Sequence, residues 1–255
     1  MIDGQSDGFA GKSVVVTGAG SGIGRAIAER LAMLGAYVTL AARTAPKLDE
    51  VAESIRSRSG KVLAVPTDIT VDEEVRVLFD QVSATFGGVD VLVNNAGVAR
   101  EGRVSDQSMA EFDTVLGTNL RAVFLCSQIA AKSMAERGGG KILNVGSAFG
   151  IKPVKGFGAY CASKAAVEHL TRVAALELST SNIQVNAIAP GYVATELNAS
   201  DLADGSFQEA VLRRIPARRI ANPEELLPLI ELLCSPSADY ITGQTVVIDG
   251  GLVLR

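Results

Sequence analysis

Apolar residues in this chain follow two alternating rhythms. Short runs such as Ser13-Val14-Val15-Val16-Thr17 are apolar at nearly every position and are bounded by turn residues. Such runs predict strands covered on both faces. On this pattern the candidate strands are residues 13–17, 37–41, 61–65, 90–93, 140–145, 183–189 and 245–249. Between them the apolar positions recur three and four apart. Ile23, Ala26, Ile27, Ala28, Leu31 and Leu34 line one helix face, and Gly35 follows as a stop. Val71 to Phe86, Met109 to Ala135 and Ala159 to Leu178 carry the same period. Strand–helix alternation along almost the whole length predicts an α/β protein, a doubly wound parallel sheet of about seven strands joined by right-handed crossovers.

The spacing allows one domain, with residues 11–255 as the folded unit and 1–10, acidic and glycine-rich, as a loose tail. The least regular stretch, near 193–219, contains Gly205 and Pro216 and reads as a lid-like insertion over a pocket.

Composition narrows the class. The 255 residues are 47% hydrophobic, ample for a large core, and the charge of 24 − 28 = −4 comes without a basic stretch, which argues against nucleic acid. No apolar run approaches the ~18 residues of a spanning helix, so no membrane is expected. The first ten residues lack the basic and apolar regions of a signal peptide. Cys126, Cys161 and Cys234 are odd in number and widely spaced, which fits a reducing, cytoplasmic setting better than a disulfide framework. No metal site is expected.

Candidate chemistry begins where the first strand ends. Thr17-Gly18-Ala19-Gly20-Ser21-Gly22-Ile23-Gly24 is a glycine turn opening a helix, the arrangement that lets backbone and helix N-terminus approach a pyrophosphate. Its spacing, G-x-x-x-G-x-G, differs from the G-x-G-x-x-G fingerprint, and no Walker lysine follows. The second strand ends Leu40-Ala41-Ala42-Arg43-Thr44, with no carboxylate for a ribose 2′-hydroxyl and with Arg43 suited to a 2′-phosphate. NADP(H) is therefore favoured as cofactor, with NAD(H) possible. Tyr160 and Lys164, at i and i+4 in a helical pattern, share a face, and an ammonium one turn away is expected to lower the phenol from its ordinary value near pH ~10. Ser147 follows the strand Lys141–Val145 at its C-terminal end, where open α/β sheets bind ligands.

With these motifs in order, the chain resembles the short-chain dehydrogenase/reductase family in its compact, Rossmann-like form, from about Gly8 to Leu254. The matching residues are the 17–24 loop, Asp68, Asn94-Asn95-Ala96-Gly97, Asn119, Ser147, Tyr160, Lys164 and Pro190-Gly191. The resemblance implies Tyr160 as acid/base and Ser147 as the group that orients a carbonyl or hydroxyl. It implies that Lys164 binds the nicotinamide ribose and that Asn119 holds a water in a proton relay. It assigns Gly18, Ser21, Ile23 and Gly24, with Gly20 and Gly22 of the same loop, to phosphate and ribose, and Asp68 and Ile69 to adenine. Asn95, Ala96 and Gly97 would line the adenosine side, and Pro190, Gly191, Val193 and Thr195 would meet the nicotinamide.

The implied activity is hydride transfer between a nicotinamide cofactor and a ketone or secondary alcohol, as in 3-oxoacyl-carrier-protein reductases and carbonyl reductases. The alternatives are an NAD-dependent sugar-acid or polyol dehydrogenase, an epimerase or dehydratase, and a non-catalytic nucleotide sensor. Phe149, Phe157 and Tyr192 are candidates for a partly apolar wall around a small-molecule substrate. His169, Cys161 and the run Gly138-Gly139-Gly140 read as surface, packing and helix-end residues, and Arg213, Arg214, Arg218 and Arg219 as a solvated face, the alternative being contact with an acidic substrate group. Met109–Ala135 and Gly158–Thr180 carry apolar residues over more than one face, and the resemblance implies that such helices pair in a homotetramer.

Overall fold

The computed structural model describes residues 8–196 and 205–255. Seven parallel strands form one sheet in the order β3-β2-β1-β4-β5-β6-β7. They are β1 Ser13–Thr17, β2 Tyr37–Ala42, β3 Lys61–Pro66, β4 Val91–Asn94, β5 Gly140–Val145, β6 Ile183–Pro190 and β7 Thr245–Ile248. The expected strands are all present, with ends moved by a residue or so. The helices are α1 Gly22–Met33, α2 Ala45–Arg56, α3 Asp72–Phe86, α4 Met109–Leu116, α5 Ala122–Glu136, α6 Ala148–Ile151, α7 Gly158–Leu178, α8 Gly205–Arg214 and α9 Leu227–Cys234.

Alternation within the strands explains the two-layer core. Val14 and Val16 face one side with Ile27, Leu31, Leu40, Leu48 and Ile230. Val15 faces the other with Leu78, Val82, Leu92, Cys126, Met134 and Ile142. A strand buried on both faces can be apolar throughout, which is why the runs were continuous. Asn94 and Asn144 are two of the buried polar exceptions. Asn94 donates from Nδ2 to Asn144 Oδ1 (2.9 Å) and Ser127 Oγ (3.0 Å), and Asn144 donates to Thr171 Oγ1 (2.9 Å). This buried chain ties β4 and β5 to α5 and α7, and satisfied polar groups of that kind fix one register.

Strand order reverses between β1 and β4, whose neighbours β2 and β5 lie on opposite sides. Open α/β sheets bind ligands in the crevice outside the strand C-termini at such a switch point. All the candidate site residues lie on segments that leave the sheet at that end.

Two expectations about chain organisation change. Met109–Ala135 is not a single regular helix, because a π turn, Gly117–Arg121, interrupts it and carries Asn119. The packed core also takes in a residue before 11. Phe9, assigned to the loose tail, is 1% exposed in the core layer of α1 and α9, and its carbonyl accepts from Lys12 N (3.0 Å). A single aromatic among polar neighbours has no periodicity to announce its burial. Residues 1–7 of that expected tail, and 197–204 of the expected lid, lie outside the described residues.

Phe9→Ala is expected to destabilise the fold by about 3–5 kcal/mol, the cost of emptying a buried aromatic site. Urea unfolding checks this, and a loss within about 0.5 kcal/mol, typical of surface positions, would contradict it.

Candidate active site

The glycine turn is built to bring three segments together. Thr17, the last residue of β1, accepts at Oγ1 from Asn95 N and Ala96 N, both at 3.1 Å, which pulls the loop after β4 against the turn. Asn95 donates from Nδ2 to Thr17 O (2.9 Å) and Gly18 O (3.2 Å). Its amide therefore braces the glycine turn. Gly18 has φ +66, and a Cβ there would stand 2.8 Å from Ala96 Cα. A Cβ on Gly24 would run into Gly18 O and the Asn95 amide. Only glycine allows this close approach of helix, turn and loop.

The start of α1 is open to an anion. Its N-cap, Ser21, makes no side-chain cap bond, and its first turn holds no acid. By contrast α3, away from the turn, carries Asp72, Glu73 and Glu74 in its first turn. An uncapped helix N-terminus framed by glycines matches a dinucleotide pyrophosphate in both charge and shape. Opposite the turn, a Cβ on Gly22 would lie 3.1 Å from the Thr195 methyl, so the segment after β6 closes over the loop. Gly191 N donates to Ile248 O (2.9 Å), and Val193 pairs with Ala221 in an isolated bridge, which anchors that segment to the sheet edge. At the end of β2, Arg43 acts on Asp68 electrostatically. Burial favours the neutral form of Asp68, but Thr70 and the Arg43 charge outweigh it and hold the carboxyl below its ordinary range. Thr70 donates to Asp68 Oδ1 from both its backbone N (2.9 Å) and its hydroxyl (2.7 Å).

The second cluster sits beside the turn. Ser147 follows β5, is 5% exposed and caps α6, its Oγ accepting from Phe149 N at 3.1 Å. Ser147 also hydrogen-bonds the Tyr160 phenol. Tyr160 and Lys164 are one turn apart on α7, and Lys164 Nζ stands 5.8 Å from the Tyr160 ring centre. Lys164 is 5% exposed and donates from Nζ to Val145 O at 2.7 Å. Asn119 is fully buried, and donates from Nδ2 to Val98 O (2.9 Å) and Ser163 Oγ (3.0 Å) while Oδ1 accepts from Val98 N (2.8 Å). A Cβ on Gly97 would lie 3.4 Å from Asn119 Oδ1 and 3.5 Å from Lys164 Nζ, so the missing side chain leaves the two groups facing each other. A π bulge that aims a polar side chain into a site is a common functional device.

Electrostatics correct one expectation. Burial raises the Tyr160 phenol above its ordinary value, Ser147 works against that rise, and Cys161 adds to it. Lys164 is itself pushed down to about 8 by burial, with Glu168 opposing. Desolvation disfavours charge on both groups and outweighs the attraction that spacing alone suggested. The two shifts run in opposite directions: the buried phenol holds its proton more firmly, while the ammonium gives its proton up more readily.

The proposed substrate wall is divided. Phe149 and Tyr192 meet edge to face, ring centres 5.4 Å apart, and pack on Val211, Ile215 and Leu252. Phe157 belongs to another wall: it is the N-cap of α7 and bridges Gly102. His169 is exposed, Cys161 donates weakly to Val154 O (3.9 Å), and Gly138-Gly139 turn α5 into β5, as expected. Arg213 and Arg219 pair with Glu209 and Glu225, whereas Arg214 acts on the Tyr192 phenol. Glu168, unremarked in the sequence, is buried behind this cluster. Among the described residues no group of acids, histidines and cysteines is arranged to hold a metal, and no helix is long and apolar enough to cross a membrane.

Known proteins are similar to this chain over nearly its whole length. The family profile described as enoyl-(acyl carrier protein) reductase matches residues 18–253. A 3-oxoacyl-[acyl-carrier-protein] reductase of Staphylococcus aureus is 36% identical over 244 residues, 95% of this chain and 98% of that one. A short-chain type dehydrogenase/reductase from Mycobacterium marinum superposes with TM-score 0.92 at 38% identity, covering 97% and 98% of the two chains. An NAD(P)-dependent protein of Beutenbergia cavernae, assigned provisionally as a gluconate 5-dehydrogenase and holding bound NADP, does so with TM-score 0.93 at 38% identity, covering 99% and 100%.

Proposed function

We propose, from the premise that this chain belongs to the short-chain dehydrogenase/reductase family, that it is an NADP(H)-dependent reductase of a small ketone, also able to oxidise the secondary alcohol. That it is an NAD(P)-dependent oxidoreductase acting on CH–OH and C=O groups follows from its relatives. The observation that carries the finer reading is the meeting of Ser147, Tyr160 and Lys164 beside an uncapped, glycine-framed helix N-terminus.

The α1 N-terminus and the Gly18–Gly24 turn would hold the pyrophosphate, with Arg43 at the adenosine 2′-phosphate and Asp68 and Ile69 flanking the adenine. Ala96 and Gly97 would line the adenosine side, with Pro190, Gly191, Val193 and Thr195 near the nicotinamide. When bound, the nicotinamide gives or takes a hydride at its C4. The chain supplies orientation and a proton. Ser147 donates to the substrate oxygen and holds it next to the phenol, and Tyr160 gives that oxygen its proton in reduction or takes it in oxidation. Lys164 would hold the ribose hydroxyls and restore the proton through Asn119 and solvent. Phe149 and Tyr192 exclude water from one side of the substrate. Arg214 beside Tyr192 favours a second reading, a sugar-acid substrate whose carboxylate it would meet.

Exposed Phe124 on α5 and Val173 and Leu176 on α7 support pairing of these helices in a homotetramer. The three unpaired cysteines suit a reducing compartment such as the cytoplasm.

Tyr160→Phe is expected to lower kcat by ~10²–10⁴-fold, the usual contribution of a positioned acid/base, and to leave NADPH affinity within about threefold. A fully active Phe variant would refute the proton assignment. Arg43→Ala is expected to weaken NADPH binding by about 10–100-fold, the loss of a charged hydrogen bond, with NADH binding unchanged. Fluorescence titration with both coenzymes checks this, and equal losses for the two would contradict a role at the 2′-phosphate.

A further inference from the structure

One buried acid lies outside the machinery so far described. Along α7, Tyr160, Lys164, Glu168 and Arg172 follow one another at intervals of four, so they form a single stripe running from the reacting groups outward. Glu168 is only 7% exposed. Its Oε1 is buried and has no hydrogen-bond partner. The room for it is made by glycines: a Cβ on Gly150 would lie 2.6 Å from Oε1, and one on Gly146 3.7 Å from Glu168 Cγ. These glycines bracket Ser147, so the carboxylate is enclosed directly behind the serine turn.

A carboxylate oxygen left unbonded in such a place is costly, and an apolar side chain of equal volume would fill the same space without that cost. Its only compensation on the inner side is electrostatic. The neighbours of Lys164 from β5, the loop after β4 and the π turn are Val145 O, Gly97 and Asn119, all uncharged. From its own helix they are the Tyr160 ring and Glu168. From β5 and α6, Glu168 meets Gly146 and Gly150, with Lys164 and exposed Arg172 as the charges acting on it along α7.

We infer that Glu168 is a positioning residue for the reaction, its carboxylate holding the Lys164 ammonium charged at the place where the nicotinamide ribose and the phenol need it. This rests on the coenzyme reading of Lys164 given above. Burial draws Lys164 down, and about 8 is where it stands with Glu168 countering the fall. Burial also favours the neutral form of Glu168 itself, which Arg172 and Lys164 oppose. With the carboxylate removed, the ammonium loses its proton at lower pH, and ribose binding is lost with it.

The test is NADPH affinity followed by fluorescence from pH 6.5 to 10 in the wild-type protein, Glu168→Gln and Glu168→Asp, beside the pH profile of kcat/KM for ketone reduction. The affinity of the wild type should fall as pH rises through about 8. In Glu168→Gln the midpoint should move down by about one pH unit or more, the effect of losing a nearby opposite charge, and Glu168→Asp should restore it. Affinity at pH 6.5 should stay within about threefold of wild type. If Glu168→Gln does not fold, Glu168→Met carries the same expectation with an apolar filler. Unmoved midpoints, with only a uniform loss of affinity or thermal stability, would make Glu168 a packing residue and overturn the inference alone. A wild-type protein that binds no NADPH at any pH would overturn the coenzyme reading and this inference together.

Discussion

A lysine ammonium kept out of water is the constraint around which the site is arranged. Lys164 donates from Nζ to Val145 O and sits almost entirely under protein. Such a charge survives only if every nearby dipole is aimed at it and some opposite charge lies within reach. That requirement fixes where α7 docks: its inner stripe must lie against the C-terminal end of β5, with Gly97, Gly146 and Gly150 leaving space for long side chains. It also explains why so much of the polar network is structural. Asn94, Asn144 and Thr171 hold α7 in register with β4 and β5, so that the lysine and the phenol arrive at the crevice together.

The same constraint connects the two halves of the molecule. The glycine turn after β1 and the Asn95–Gly97 loop after β4 are locked by Thr17 and Asn95, and Gly97 in turn stands between Asn119 and Lys164. A dinucleotide lying along the strand ends would therefore touch rigid elements from phosphate to nicotinamide. Positioning of that kind contributes to rate through orientation, and the low dielectric around the lysine and phenol strengthens each electrostatic contact made there.

Much of this was readable in the residues, for identifiable reasons. The strands were legible because a sheet covered on both faces demands unbroken apolar runs. Tyr160 and Lys164 were legible because four residues is one helical turn. What spacing does not carry is depth. Phe9 gave no sign of its burial, and neither did the carboxylate of Glu168, since a lone residue has no period. The Tyr160 phenol departs from expectation for the same reason: burial disfavours its charged form, and a spacing of four residues carries no measure of that burial. The motif assigns Asn95 to the adenosine side but does not tell that its amide also braces the glycine turn, a partner choice set by tertiary approach. The π turn at Asn119 lies within a stretch whose apolar pattern is continuous, and patterns do not register one extra residue per turn.

The central claim is that hydride from NADPH and a proton from Tyr160 reach the same carbonyl group. It is tested most directly with NADPH deuterated at nicotinamide C4, incubated with a panel of ketones, and mass spectrometry of the products. The account predicts ketone-dependent loss of NADPH with deuterium on the carbinol carbon of the alcohol formed. Firm NADPH binding without label transfer to any ketone in the panel would contradict it.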